Sequence, residues 1–388
     1  MMTQKVKRSE LLFFAAFGLY LFIQLLSSTL ISAMIDLQGL RLFGFYTITV
    51  LLLCKFVFDN SLKQLWIYML IIAVFLIVGL HAANIRDLLI LALLTYEARN
   101  IRFFKVVNVS MIMIGACLIL TVTLYWMGFF QRVDISNVRD QSGVIRQSLG
   151  FGWVTYSANY FLSYAICGIF LNKGRKHLFL FVFALGAVSI ILFLLTNTRV
   201  AFYETILLLL LYILVEKRKL DLTRLFVVRL LLIFSFLICA VFSIWIAFNF
   251  DNGNPVMRMI NEMMNYRLSL ANSATKLYGI NIWGNSIAWT LTPTATESYM
   301  YVDISYVQIL IQYGLVVFIY VLLLFTLLMH RFVKDKNNIA IICLLMIALH
   351  SITDPQLFNL AYNPFLLALG LVLQRKRSIP QLPMVDNS

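Results

Sequence analysis

Arg199 lies in the stretch LTNTRVAFYE, between SIILFLL and TILLLLLYILV, with no carboxylate nearer than Glu204. A permanent charge in so apolar a setting needs a compensating anion, unless its stem lifts the head to a lipid surface. The guanidinium is a planar fork that grips phosphate in bidentate fashion, which the point charge of lysine does not. Thr196, Asn197 and Thr198 supply further donors at the same depth. The amino end of a following helix would add a positive dipole, so the four residues together read as a phosphate cradle.

Arg267 poses the same question within NPVMRMINEMMNYRLSLANSATKLYG. Read as one helix over about 255–278, this stretch has Asn254 as cap, Pro255 in its first turn and Gly279 as its close. Arg267 then falls in the middle of the apolar face, and Arg258 falls on the polar face, where water solvates it. The charge on the apolar face calls for a loop carboxylate such as Asp251 or Glu297, or for an anionic ligand. Arg146, in GVIRQSLGFG, is a third arginine of this kind.

Asp303 and the pair His350 and Asp354, spaced i and i+4, are the groups that can move protons near such arginines. Asp303 reads equally well as the cap of the helix that follows it, and His350 as a histidine satisfied inside a bundle. The segments around these residues hold no DxD and no histidine cluster, so no metal and no cofactor is expected and arginine is the candidate cation.

The elements that must position these residues follow from composition. The 388 residues are 62% hydrophobic and only 12% charged, with a mean hydropathy of +0.89. A soluble domain of that composition would expose far too much apolar surface, so the chain reads as an all-α polytopic membrane protein in contact with the lipid bilayer. About twelve spans are expected, over 11–31, 42–58, 65–81, 85–97, 106–128, 153–171, 178–195, 200–215, 225–248, 304–328, 339–353 and 357–373. The short stretch 85–97, flanked by Arg86, Asp87 and Glu97, and the stretch 357–373 fit a span least well.

The net charge of +14 is placed as a membrane protein places it, not as a nucleic-acid binder does. Of the 31 basic residues, 22 cluster beside alternate span ends, from KVKR at the start to QRKR near the end. The positive-inside rule puts these clusters, and with them both termini, in the cytoplasm. The other nine map outside, and all are arginine except Lys276: Arg41, Arg86, Arg132, Arg139, Arg146, Arg199, Arg258 and Arg267. The five cysteines fall within spans without a CxxC, so neither a disulfide nor zinc is indicated. The first apolar run is as long as a span and no cleavage site follows it, so no cleaved signal is expected.

The chain thus reads as a single transmembrane domain over 1–388, with outer loops at 129–152 and 249–303 and a cytoplasmic tail at 374–388. Four motifs give it a resemblance. LTNTR is similar to a threonine-x-serine-arginine turn. NYRLSLANSATKLYGINIWG resembles an arginine followed by a glycine-rich loop segment, and VDISYVQILIQYGLVVF resembles the approach to the next span. GVIRQSLGFG looks like an arginine-leucine-glycine-phenylalanine motif. Together they resemble the bacterial O-antigen polymerase and O-antigen ligase family. This chain has WVTYSAN where many polymerases have His-Pro-Asn, which leaves the place of Asn159 open. Ligases carry histidine where Asp303 stands, so the resemblance favours a polymerase.

The resemblance implies a GT-C-like fold in the bacterial plasma membrane and a metal-independent glycosyltransferase acting on undecaprenyl-pyrophosphate-linked oligosaccharides. A hydroxyl of one repeat unit would attack the anomeric carbon of another, and undecaprenyl pyrophosphate would leave. Arg199, Arg267 and more weakly Arg146 are then the expected pyrophosphate ligands, Asp303 the expected base, and Tyr306 and His350 candidate substrate contacts. Trp283, Trp289 and Tyr299 can stack on sugars or simply sit at the interface. A flippase and a chain-length regulator are conceivable partners. A flippase for the same lipid or a ligase is the rival function, although a flippase favours short outer loops and charges deep in its spans.

Overall fold

The computed structural model describes residues 2–59, 65–130, 134–136, 145–172, 177–290 and 299–372. Among the described residues the secondary structure is helical apart from one small ribbon. Helices α1 (Met2–Ser27), α2 (Ile31–Met34), α3 (Gln38–Asp59), α4 (Leu65–His81), α5 (Ile85–Glu97) and α6 (Phe103–Trp126) form the first half. Strands β1 (Asp134–Ser136) and β2 (Ile145–Gln147) then pair antiparallel, with Ile135 opposite Arg146. Helices α7 (Tyr156–Leu171), α8 (Leu178–Thr196), α9 (Arg199–Lys217), α10 (Phe226–Ile233) and α11 (Ser235–Phe248) follow. The loop helices α12 (Pro255–Met263) and α13 (Arg267–Tyr278) lead to α14 (Ser305–Gln312), α15 (Gly314–Lys334), α16 (Asn338–His350) and a last turn, α17 (Leu369–Val372).

Among the described residues five helices are long and apolar enough to cross a membrane, namely α1 from Arg8, α3, α6, α8 and α15, and a sixth if the bent pair α10 and α11 is one span. Helices α4 and α16 are apolar but shorter. Most of α7 and α16 is buried, so these two form the centre around which the longer helices pack. At the opposite end of the bundle from the site, Lys55 is fully buried between Asp59 at 2.5 Å and Glu97 at 2.9 Å. That pairing offsets part of the cost of burying these charges and ties α5 to α3.

Several expected spans take another form. The stretch 225–248 bends by 62° at Phe234, because α11 turns to pack on α13 and α14 while α10 stays largely exposed. The stretch 85–97 is a helix of only 13 residues, most of them buried by neighbouring helices. The expected span 357–373 does not form. Residues 351–363 are irregular and mostly buried, and a 3-10 turn over Pro364–Ala368 follows them. Backbone of that kind survives in a membrane protein only when its polar groups are satisfied by protein. Ser305 Oγ donates to the Asp354 carbonyl at 2.5 Å and accepts from Leu357 N at 3.2 Å, and Ser163 Oγ donates to the Tyr362 carbonyl at 2.6 Å.

The stretch 304–328 is likewise split, at Gly314 (φ +82°). The loop strand around Gly284 (φ +90°) lies against this break so closely that a Cβ on either glycine would collide with the backbone of the other segment. The Asn281 carbonyl accepts from Leu315 N at 3.0 Å and that of Ile282 from Val316 N at 3.3 Å. The donors left unpaired at the start of α15 are therefore capped by the large loop.

Candidate functional site

The single loop helix expected over 255–278 is broken. Asn254 does cap its start and Gly279 its end, but Asn265 and Tyr266 both adopt left-handed backbone between α12 and α13. Buried Asn261 holds the break, accepting from Ser269 N at 3.1 Å through its side chain and from Tyr266 N at 2.7 Å through its carbonyl. Arg267 consequently opens α13 instead of sitting mid-face, and the break aims it at the end of the bundle.

There it meets two carboxylates. Its Nε lies 3.5 Å from Asp303 Oδ2 and one terminal nitrogen 4.0 Å from Asp354 Oδ2. Asp251, an alternative partner in the sequence, is exposed and binds its own turn at Gly253 N, and Glu297 lies outside the described residues. The N-cap position of α14 is held by Ile304, one residue after Asp303.

The LTNTR hairpin forms the facing wall. Thr196 ends α8, Asn197 turns the chain in the left-handed region (φ 48°, ψ 39°), a conformation asparagine tolerates, and Arg199 opens α9. Thr196 is fully buried and its hydroxyl donates to the Leu192 carbonyl, so it stiffens the turn and presents nothing to a ligand. Arg146 arrives from β2 and its Nε donates to the Thr196 carbonyl at 2.7 Å. One small cavity is lined by Arg146, Arg199 and Arg267 together with Asn197, Thr198, Asn159, His350 and Asp354. The three arginines picked out by sequence thus share one opening.

Glu204 lies one turn and a half along α9 from Arg199. It binds His350 Nδ1 at 2.5 Å. His350 Nε2 is buried with no hydrogen-bond partner among the described residues, and so is Asp354 Oδ1. The other Asp354 oxygen accepts from Asn159 Nδ2 at 2.8 Å. Burial raises the Asp354 carboxyl to about 6, against the opposing pull of His350 and Arg267. A carboxylate so tuned can hold and release a proton near neutrality.

Other expected contacts lie elsewhere. Tyr306 is fully buried and donates to the Ala348 carbonyl at 2.9 Å, so it is a packing residue of the bundle and not a substrate contact. Trp289 donates to Gln312 Oε1 at 3.2 Å and packs edge-on against Tyr278 and Tyr301, and Trp283 packs against the core. Arg258 is exposed as expected, whereas Arg132 and Arg139 lie outside the described residues. The sequence leaves the place of Asn159 open and gives Glu204 no role. The i,i+4 pairing of His350 with Asp354 was the one local signal for this corner of the site. Among the described residues no group of three or more His, Cys, Asp or Glu could hold a metal ion. Comparison with protein families, with curated proteins and with solved structures finds no match to the chain.

Proposed function

We propose that the chain is a polymerase that joins undecaprenyl-pyrophosphate-linked repeat units into a surface polysaccharide at the outer face of the bacterial plasma membrane. In this reading the shorter and broken apolar helices join the five or six long ones in a GT-C-like membrane domain, with both termini in the cytoplasm. The observation that carries it is the meeting of Arg146, Arg199 and Arg267 in one cavity beside Asp354. Three permanent forks suit a diphosphate, and a buried carboxylate beside them suits a hydroxyl that must lose its proton.

The roles follow from position. Arg199 and Arg267 neutralise the charge that develops on the pyrophosphate as the anomeric carbon–oxygen bond breaks. Arg146 holds the hairpin that carries Arg199 and adds a third cation. Asp354 takes the proton of the attacking hydroxyl, and Asn159 orients it. Asp303, which lies at 3.5 Å from Arg267, aims that guanidinium in place of acting as the base. The Glu204 and His350 pair fixes the depth of α9 against α16.

The test is to delete the gene in its host and measure the length and sidedness of the glycans on undecaprenyl pyrophosphate. Single units on the outer face with long chains gone support the polymerase. Units held on the inner face would instead indicate a flippase, and long outer chains lacking their final acceptor a ligase.

A further inference from the structure

Two further arginines of the outer set gather away from this cavity. Arg41, near the start of α3, and Arg86, near the start of α5, line a cleft with Gln24 and Tyr20 of α1, Asn84 and Asp87. The cleft holds about 610 Å³, against about 50 Å³ for the cavity around Arg199. That size accommodates a headgroup with room for more.

Its chemistry is that of an anion site. Arg41 donates to Ser27 Oγ at 3.2 Å, and among the described residues neither Arg41 nor Arg86 forms an ion pair. Asp87 is the one carboxylate that lines the cleft, so the two arginines leave at least one positive charge in excess. The Gln24 amide adds a neutral donor. Two forks around an open volume match the oxygens of a phosphate better than a single carboxylate.

The cleft is at the same end of the bundle as the site. The loop after α1 is tied to the start of α7 by Leu30 N to the Gly150 carbonyl at 2.9 Å and by Gly152 N to the Ser28 carbonyl at 2.8 Å. Asn84 Nδ2 also reaches Tyr313 Oη at 3.3 Å, and Tyr313 stacks on Phe358 in the segment that carries Asp354. On its other side, α3 exposes Phe43, Tyr46, Val50, Leu53 and Val57, a stripe at helical spacing on a helix apolar enough to cross the membrane. One helix therefore separates the cleft from lipid.

We propose that this cleft binds the phosphate-bearing group of a membrane amphiphile through Arg41 and Arg86. Resting on the polymerase reading, its role is to hold the second lipid-linked unit, since joining two such units requires two phosphate sites.

The test uses the full chain in phosphatidylcholine nanodiscs, with native mass spectrometry counting bound undecaprenyl diphosphate. Two equivalents are expected on the wild type and one on R41Q/R86Q, with affinity for the lost equivalent down at least about tenfold. R41K/R86K, which keeps the charge and so guards against misfolding, should bind the second equivalent more weakly than wild type. Two full-affinity equivalents on the R41Q/R86Q protein would overturn the proposal. R199Q/R267Q should lose the other equivalent. If it loses none while R41Q/R86Q still loses one, the cleft stands and the polymerase assignment of the arginine cavity falls. Equal displacement by inorganic pyrophosphate would support phosphate binding but overturn the lipid source, and displacement by phosphatidylglycerol would support a lipid phosphate of broader identity.

Discussion

Arg146 Nε donates to the Thr196 carbonyl at 2.7 Å, across fifty residues of sequence. Through that bond the GVIRQSLGFG segment holds the LTNTR hairpin, and the backbone of a left-handed asparagine holds Arg199 at the mouth of the cavity. Arg146→Ala should lower polymerisation more than Arg146→Lys, because lysine restores charge without the Nε donor. Polymer length profiles of the two variants check this: the loss that remains in Arg146→Lys is the share of the tie, and wild-type polymer from Arg146→Lys would remove the tie from the account.

Arg199→Lys should insert and fold normally yet lose activity by about a hundredfold, the scale seen when one preorganised donor to a developing charge is removed. Comparison of protein level in the membrane with polymer yield separates the two effects. Normal polymer from this variant would mean that charge alone suffices and that the fork has no special part.

Asp354 supplies the pH dependence. A base must be ionised to work, and its carboxyl is raised to about 6 by burial, so activity should fall as pH drops through about 6 and level off above about 7. The stability it contributes runs the other way. A carboxyl raised in the fold favours the protonated form, so its contribution is complete below the ordinary carboxylate range and is lost as pH rises through about 6. Asp354→Asn should abolish activity and flatten the thermal-stability profile between about pH 4 and 7. An unchanged activity profile in Asp303→Asn, with weaker substrate binding, would agree with Asp303 as the residue that aims Arg267.

At the other end of the bundle, Lys55→Met leaves the fully buried Glu97 without its partner, a loss of ~3–5 kcal/mol for a broken buried pair. The variant should melt at a clearly lower temperature in detergent, and Lys55→Met with Glu97→Gln should recover much of the difference. No recovery would mean that the pair is not energetically coupled.

Gly284→Ala places a Cβ against the Gln312 carbonyl and forces a side chain into left-handed backbone. It should destabilise the loop by more than ~1 kcal/mol and expose it to limited proteolysis, while Gly128→Ala, which meets no neighbour, costs only its backbone strain. Equal protease sensitivity in the two variants would contradict the packing of the loop on the break before α15.

The sequence carries the long apolar helices plainly, since runs such as 106–128 and 178–195 need only hydrophobicity to declare themselves. It also carries the three arginines, because a charge in an apolar run is conspicuous. The breaks at Phe234, Tyr266 and Gly314 are different in kind. Each answers to a tertiary partner, namely α13 for the first, the Asn261 caps for the second and the Gly284 strand for the third. Local propensity cannot register them. Asp354 was visible only as a neighbour of His350. Its importance comes from Arg267 and Asn159, which reach it from distant segments and so leave no local trace.

The most direct measurement of the central claim is polymerisation by the purified chain in nanodiscs, supplied only with a single repeat unit on undecaprenyl pyrophosphate. The account predicts a ladder of longer glycans on the lipid with release of undecaprenyl pyrophosphate, and no ladder with the R199A or R267A protein. A unit that stays single with the wild type, while being carried across the bilayer, would contradict it.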